Sequence, residues 1–160
     1  MAHAEEMVHV LSAEELYRFP GGQPPTLVEL RSRYERQSKG HSPDGTAGWL
    51  NWIIRDEATK VAIGFVQATV TRDADRSDID MAWLVTPAAQ GAGAATEAAQ
   101  AALDWLRKLQ PRAIEARIQP GHVASERVAE RLGFSPTSAL NDGETVWQVL
   151  RNLPLSADPV

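Results

Sequence analysis

The sequence contains no cysteine, which excludes disulfide scaffolds, thiolate nucleophiles and cysteine-ligated zinc. Its four histidines are scattered along the chain: His3, His9, His41 and His122. They form no His-Glu-x-x-His motif and no pair at i, i+4 spacing, so we expect no catalytic metal. Any chemistry must therefore come from other side chains or from the backbone.

Positive charge and long apolar runs are also scarce. Lys and Arg number 16 against 21 Asp and Glu, a formal net charge of -5, so we expect no nucleic-acid partner. No apolar run approaches about 18 residues, and the first residues lack a basic segment followed by an apolar one. We therefore expect no membrane insertion and no secretion signal, and a cytoplasmic protein.

The composition is that of an ordinary globular chain, with 43% hydrophobic and 23% charged residues. No repeat or linker divides it, so residues 1–153 are expected to form a single domain followed by a flexible tail at 154–160. Apolar spacing predicts a short opening helix and a second helix capped by Thr26 and ended by Gly40.

After Gly45 the spacing of apolar residues changes from a helical to an alternating pattern, which predicts further elements. The expected order is three antiparallel strands (50–55, 61–71, 79–85), a helix (94–109), a strand (113–118), a helix (123–132), and a hairpin formed by residues from 134 and by 145–150. The apolar faces of the two later helices are assigned to Ala95, Ala98, Ala102, Leu106 and Leu109, and to Ala124, Val128 and Leu132. The turn of the hairpin is Asn141-Asp-Gly143, and the order predicts an α+β fold with a mixed sheet.

The most informative segment is a glycine-rich stretch at residues 83–97, where a strand stops at Pro87 and a helix follows. Such a turn presents unpaired backbone N–H groups at the positive end of a helix dipole, which favours a phosphate-bearing ligand. The stretch matches neither the dinucleotide fingerprint nor the P-loop, which would need a lysine here. The alternative is a purely structural role in a tight turn and close helix packing.

Two motifs resemble the GNAT superfamily of N-acetyltransferases. Gln90-x-x-Gly93-x-Ala95, preceded by Val85-x-Pro87, is similar to its acetyl-CoA pyrophosphate loop. Residues 122–134 resemble its second signature, particularly in the branch that acetylates ribosomal-protein N-termini. The resemblance implies a mixed, mostly antiparallel sheet flanked by helices, here lacking the usual first strand because the chain starts inside the first helix. The exposed edge would stay open or be covered by a second copy in a homodimer.

The resemblance also implies roles for individual residues. Cofactor binding falls to the main chain of Leu84 and Val85, to His122, and to the loop residues Gln90, Gly91, Ala92, Gly93, Ala94 and Ala95. Asp80 matches an acidic residue that serves as the base, with a solvated surface carboxylate as the alternative. The usual proton-donating tyrosine falls at Ala129, which leaves Ser125 as the substitute, or as a helix-start residue that satisfies backbone donors. The loop carries no Lys or Arg where many relatives have two.

These features predict direct transfer of an acetyl group from acetyl-CoA to a primary amine. A covalent enzyme intermediate is not expected, because cysteine is absent and Ser125 has no evident base nearby. The acceptor is a small-molecule or peptide amine, and Arg31, Arg33 and Arg36 are expected to border its site and favour a carboxylate. The alternative function is a non-catalytic acyl-CoA-binding or sensory module with the same fold.

Overall fold

The computed structural model describes residues 3–73 and 76–149 of the chain. Its α-helices are α1 His3–Val10, α2 Leu27–Gln37, α3 Ala94–Arg107 and α4 Val123–Arg131. Its strands are β1 Ala47–Arg55, β2 Ala62–Asp73, β3 Arg76–Val85, β4 Ala113–Ile118, β5 Phe134–Asn141 and β6 Glu144–Val149. Within these ranges no helix is both long and apolar enough to cross a bilayer.

The six strands form one mixed sheet in the order β1-β2-β3-β4-β6-β5. Four of the five pairings are antiparallel, and only β3 and β4 run parallel. The β3 to β4 connection contains α3, as a parallel crossover requires. The predicted α+β class with a mostly antiparallel sheet flanked by helices is confirmed.

One face of the sheet is apolar and packs against α3 and α4. Because side chains alternate along a strand, every second residue of β2 and β3 points to this face. Those that are buried there are Val66, Ala68, Val70, Ile79, Met81 and Val85. The opposing residues of α3 are Ala99, Ala102, Leu103 and Leu106. The small alanines let the helix approach the strands closely.

The other face is only partly covered, by α1 and α2. Met7 and Leu30 are fully buried there and pack with Phe65 and Leu84 of the sheet. Thr26 begins α2 with a capping box: its hydroxyl accepts from the Glu29 N–H, and the Glu29 carboxylate accepts from the Thr26 N–H. Beyond these helices the same face carries polar side chains along β1 to β4, which are described below.

The usual first strand is absent from the described part of the chain, as predicted. The chain is helical from His3, and the first strand begins at Ala47. Among the described residues, the outer edge of β1 pairs only near its start. There the Trp49 N–H donates to the Gly40 carbonyl, and the Ser42 N–H donates to the Ala47 carbonyl. Residues 40–42 thus replace the missing strand over a short stretch. Whether a second copy covers the rest stays a prediction.

Some local expectations were wrong. The helix predicted to reach residue 109 ends at Arg107, and Leu109 is 43% exposed because it lies past the last turn that contacts the sheet. On α4 the inward residue is Ala129 rather than Ala124, which is exposed in the first turn of the helix. The hairpin turn is correct, with positive φ at Asp142 and Gly143 as a type I′ turn requires. The predicted tail at 154–160 lies outside the described residues.

Candidate active site

A cleft opens in the sheet where β3 and β4 separate. Their parallel pairing covers only Asp78 to Asp80 on β3 and Ala113 to Glu115 on β4. Residues 81–85 and 116–118 continue without pairing to each other, although β3 stays paired to β2 as far as Val85. Strand edges of this kind present backbone N–H and C=O groups that a ligand with amide groups can pair with. The predicted cofactor residues Leu84 and Val85 lie on this edge.

The glycine-rich loop follows directly from that edge. Gly91 and Gly93 have φ of 81° and 86°, and Gly93 is the N-cap of α3. In the described residues, the backbone N–H groups of 91–96 donate to no protein acceptor. A Cβ built at either glycine would meet nothing within 4 Å, so the backbone is accessible from outside. The loop therefore offers a row of donors at a helix N-terminus, which suits a pyrophosphate.

Two contacts hold the loop and the strand end in place. The Gln90 side-chain amide donates to the Val85 carbonyl at 3.3 Å, and the Gln90 N–H donates to the Pro87 carbonyl. On the other side Gly64 of β2 lies opposite Val85, and a Cβ built there would be 2.1 Å from the Leu84 carbonyl oxygen. Only glycine allows β2 to approach this close. Gln90 thus has an anchoring contact, in addition to its predicted place in the loop.

Asp80 lies at the point where the cleft begins, in the last residue pair that joins β3 to β4. Its carboxylate forms an ion pair with Arg117 of β4. Its side chain is one-third exposed, at 33%. Burial raises the pKa of Asp80 above its usual value, opposed by the charge and hydrogen bond of Arg117 and reinforced by Glu144. A carboxylate with a raised pKa is a stronger base.

Ser125 and His122 form a pair at the start of α4. The imidazole caps the helix, with Nδ1 accepting from the Ser125 N–H at 3.4 Å, and Nε2 lies 3.3 Å from the Ser125 hydroxyl oxygen. From the sequence we expect no base near Ser125, but three residues along a helix start bring an imidazole beside it. Because Nδ1 accepts from the backbone, the neutral ring presents its Nε2 proton to Ser125 and not a basic nitrogen. Burial lowers the pKa of His122, which favours the neutral ring near pH 7.

Phe19, from the loop that precedes α2, stacks on the His122 ring with centroids 4.2 Å apart and planes at 24°. This contact joins the segment before α2 to the start of α4. The sequence alone assigned Phe19 no role in the site. The available signal was an aromatic residue directly before the Pro20-Gly-Gly break, where a helix stripe cannot continue.

A polar groove lies on the partly covered face, between α2 and the strands β1 and β2. It has a volume of about 230 Å³, and we refer to it as the α2 groove. Its lining includes Arg33, Arg36, Gln37, Asn51, Gln67 and Thr69. Arg31, expected in the same region, instead forms an ion pair with Glu5 of α1. Two of the three predicted arginines therefore line the groove.

Comparisons with known proteins agree with this arrangement. A family model described as an acetyltransferase (GNAT) domain matches residues 1–135. The chain belongs to the GNAT acetyltransferase family. Among curated proteins, none matches the sequence significantly. The branch that acetylates ribosomal proteins is not distinguished by these comparisons.

Solved GNAT structures share the fold across nearly the whole chain. The aminoglycoside acetyltransferase AAC(6')-Ib, solved with coenzyme A, has a TM-score of 0.72 at 17% identity, over 94% of this chain and 90% of its own. Spermidine N-acetyltransferase from Vibrio cholerae, solved with CoA and spermine, has a TM-score of 0.71 at 17% identity, over 92% and 88%. A GNAT-family acetyltransferase from Bordetella pertussis has a TM-score of 0.66 at 25% identity, over 92% and 89%.

Two features differ from the general GNAT pattern noted above. Ala129, at the place of the usual tyrosine, is fully buried in the core and offers no proton donor. The loop has no cation, so any phosphate bound there would depend on the backbone donors. In residues 3–73 and 76–149, no group of three His, Asp or Glu side chains is arranged to hold a metal ion.

Proposed function

We propose that this GNAT protein transfers the acetyl group of acetyl-CoA to a primary amine. The observation that carries the proposal is the continuity of three features along one strand. Asp80 lies where β3 and β4 separate, the unpaired edge of β3 runs from there to Val85, and the loop with unpartnered amides follows. Acetyl-CoA supplies the acetyl group as an activated thioester, and coenzyme A leaves as the thiol.

The residues of the chain fit this cosubstrate. The amides of Gly91, Ala92, Gly93, Ala94 and Ala95 would bind the pyrophosphate, and Leu84 and Val85 would pair with the amide-bearing arm through their main chain. A backbone N–H on this edge would also stabilise negative charge on the acetyl oxygen. His122 would line the cofactor side of the cleft.

Asp80 is the proposed base. An amine at pH 7 is largely protonated, and it must lose a proton before or during attack. The raised pKa of Asp80 suits that task, while the ion pair with Arg117 holds the carboxylate in one orientation. The proton passes from the amine nitrogen to the Asp80 carboxylate, directly or through a water molecule.

Ser125 is the proposed donor to the leaving sulfur. Because His122 Nδ1 accepts from the backbone, the neutral ring carries its proton on Nε2 and can donate it to the Ser125 oxygen. The hydroxyl proton of Ser125 is then directed away from the histidine, toward a ligand. A hydrogen bond from Ser125 would stabilise the thiolate that forms as the carbon–sulfur bond breaks, and the thiolate then takes a proton from solvent water to leave as the thiol.

The assay combines the protein, acetyl-CoA and a panel of amines. The panel contains alkylamines, amino carboxylates, a peptide with a free N-terminus and spermine. We expect release of free thiol together with a mass gain of one acetyl group on at least one amine. Saturable binding of acetyl-CoA without any acetylated product would instead support the non-catalytic acyl-CoA-binding module. The assignment to the ribosomal-protein branch depends on residues 122–134 alone and stays a prediction.

A further inference from the structure

The charge of the α2 groove differs from that of the protein as a whole. The chain has a formal net charge of -5, yet the residues that line this groove include two arginines and no carboxylate. The remaining polar lining consists of amide and hydroxyl side chains, including Asn51, Gln67 and Thr69. A cationic groove on an acidic protein selects for an anionic ligand group.

Both arginines of the groove have donors to spare. In the described residues, Arg33 makes no hydrogen bond, and Arg36 donates only to the Ser32 hydroxyl, at 2.9 Å. The nearby carboxylate of Glu29 is held by the Thr26 cap. Arg31, on the same helix, is instead held by Glu5 through two nitrogens. Each guanidinium of the groove therefore has N–H groups left to bind a carboxylate or phosphate.

The groove leads to the proposed base. Trp49, which lines it, lies directly opposite Thr69, and Thr69 lies directly opposite Asp80. Side chains opposite each other in paired strands share a face of the sheet, so the three residues form a row across β1, β2 and β3. Two strand spacings separate the first from the last, about 10 Å. The row therefore begins in the groove that the arginines line and ends at Asp80.

We propose that the acceptor is an amine that also carries an anionic group, a carboxylate or a phosphate, which Arg33 and Arg36 bind while the amine lies at Asp80. The row from Trp49 to Asp80 spans about 10 Å, which sets the range of acceptor chain lengths to be tested. This proposal deepens the proposed acetyl transfer and rests on it. Polyamines are disfavoured, because a second cation would meet the two guanidinium groups.

The experiment compares four series of amines of increasing chain length that bracket this span. They are ω-amino carboxylates, ω-aminoalkyl phosphonates, alkylamines and diamines. We expect the better of the two anionic series to exceed the alkylamines by about tenfold or more in kcat/KM, as one or two charge-assisted hydrogen bonds allow. Diamines should be the poorest, and the preference should fall as ionic strength rises. Whichever anionic series is faster identifies the anionic group.

The Arg33→Gln/Arg36→Gln double variant should lose this preference. The control is Arg107→Gln/Lys108→Gln, which removes the same charge at the far end of α3 and should keep it. Equal kcat/KM for neutral and anionic amines in the wild-type protein would overturn the proposal, as would a preference that survives the Arg33 and Arg36 substitutions.

A failure of the proposed function is distinguishable from a failure of this inference. If no amine is acetylated although acetyl-CoA binds, the transferase proposal fails. Calorimetric titration with the ω-amino carboxylates and phosphonates then tests the groove alone. Binding that the wild type and the charge-matched control show and the Arg33→Gln/Arg36→Gln variant lacks would support an anion site. Absence of binding to the wild type would overturn it.

Discussion

Replacing Gly64 by alanine tests whether the end of β3 forms part of the cofactor site. The new Cβ would be 2.1 Å from the Leu84 carbonyl oxygen and 2.9 Å from the Val85 Cα, whereas ordinary contacts begin at 3.4 Å. Both neighbours are backbone atoms, so relief requires a shift of the strand by about 1 Å rather than a side-chain rotation. Overpacking of this kind costs about 1–3 kcal/mol of folding stability.

Gly64→Ala should reduce acetyl-CoA binding and turnover more strongly than it reduces folding stability. A shift of about 1 Å in a group that positions a reacting ligand can reduce the rate about 100-fold. We expect Gly64→Ala to fold with a thermal midpoint lowered by about 2–4 °C for each kcal/mol lost. Its affinity for acetyl-CoA and its kcat/KM should both fall. Calorimetric titration measures the affinity for acetyl-CoA, and thermal unfolding measures the stability of the same sample.

Gly48→Ala is the matched control. Gly48 also lies within a strand, but a Cβ there would have its nearest neighbour at 3.8 Å, an ordinary contact. This variant should match the wild type in acetyl-CoA affinity. If Gly64→Ala bound acetyl-CoA as tightly as Gly48→Ala does, the end of β3 would not be part of the cofactor site, and the reasoning from its geometry would be refuted.

Further predictions concern the base, the proton donor and the cap of α2. Asp80→Asn should lower kcat about 100-fold or more while the Kd for acetyl-CoA stays unchanged; unchanged kcat with a good acceptor would remove Asp80 from the role. Arg117→Gln removes the interactions that lower the pKa of Asp80, so this pKa should rise and the acid limb of the pH profile of kcat/KM should move to higher pH; a limb that moves to lower pH would contradict the assignment. Ser125→Ala should lower kcat about 100-fold without weakening acetyl-CoA binding, and equal turnover would show that Ser125 does not stabilise the leaving thiolate. Thr26→Ala removes the capping box and should cost about 1 kcal/mol in urea unfolding, and an unchanged midpoint would show that the cap contributes nothing.

Features encoded in short segments could be predicted from the sequence. Gly91 and Gly93 adopt the positive φ that a tight strand-to-helix turn needs, so the loop and the start of α3 were recognisable locally. The cap at Thr26 and the turn at Asp142-Gly143 are equally local. The opening helix was predictable from apolar spacing, and no strand precedes Ala47 in the described residues.

Features that depend on pairing between distant segments could not be predicted. The ion pair of Asp80 with Arg117 requires the register of β3 against β4, which the intervening helix separates in sequence. The contact of Phe19 with His122 likewise joins residues about one hundred positions apart. The Ser125–His122 pair differs, since its spacing of three residues at a helix start was available as a signal. No local pattern in the sequence shows how closely Gly64 packs against Leu84.

The most direct test of the account is an amide-resolved NMR titration of the ¹⁵N-labelled protein with acetyl-CoA, with ATP and NAD as controls. Acetyl-CoA alone should produce saturable shifts in the amides of residues 91–96 and of Leu84 and Val85, because these groups would lie against the bound cofactor. No shift in a well-dispersed spectrum, or shifts confined to other parts of the sheet, would contradict the assignment of the cofactor site.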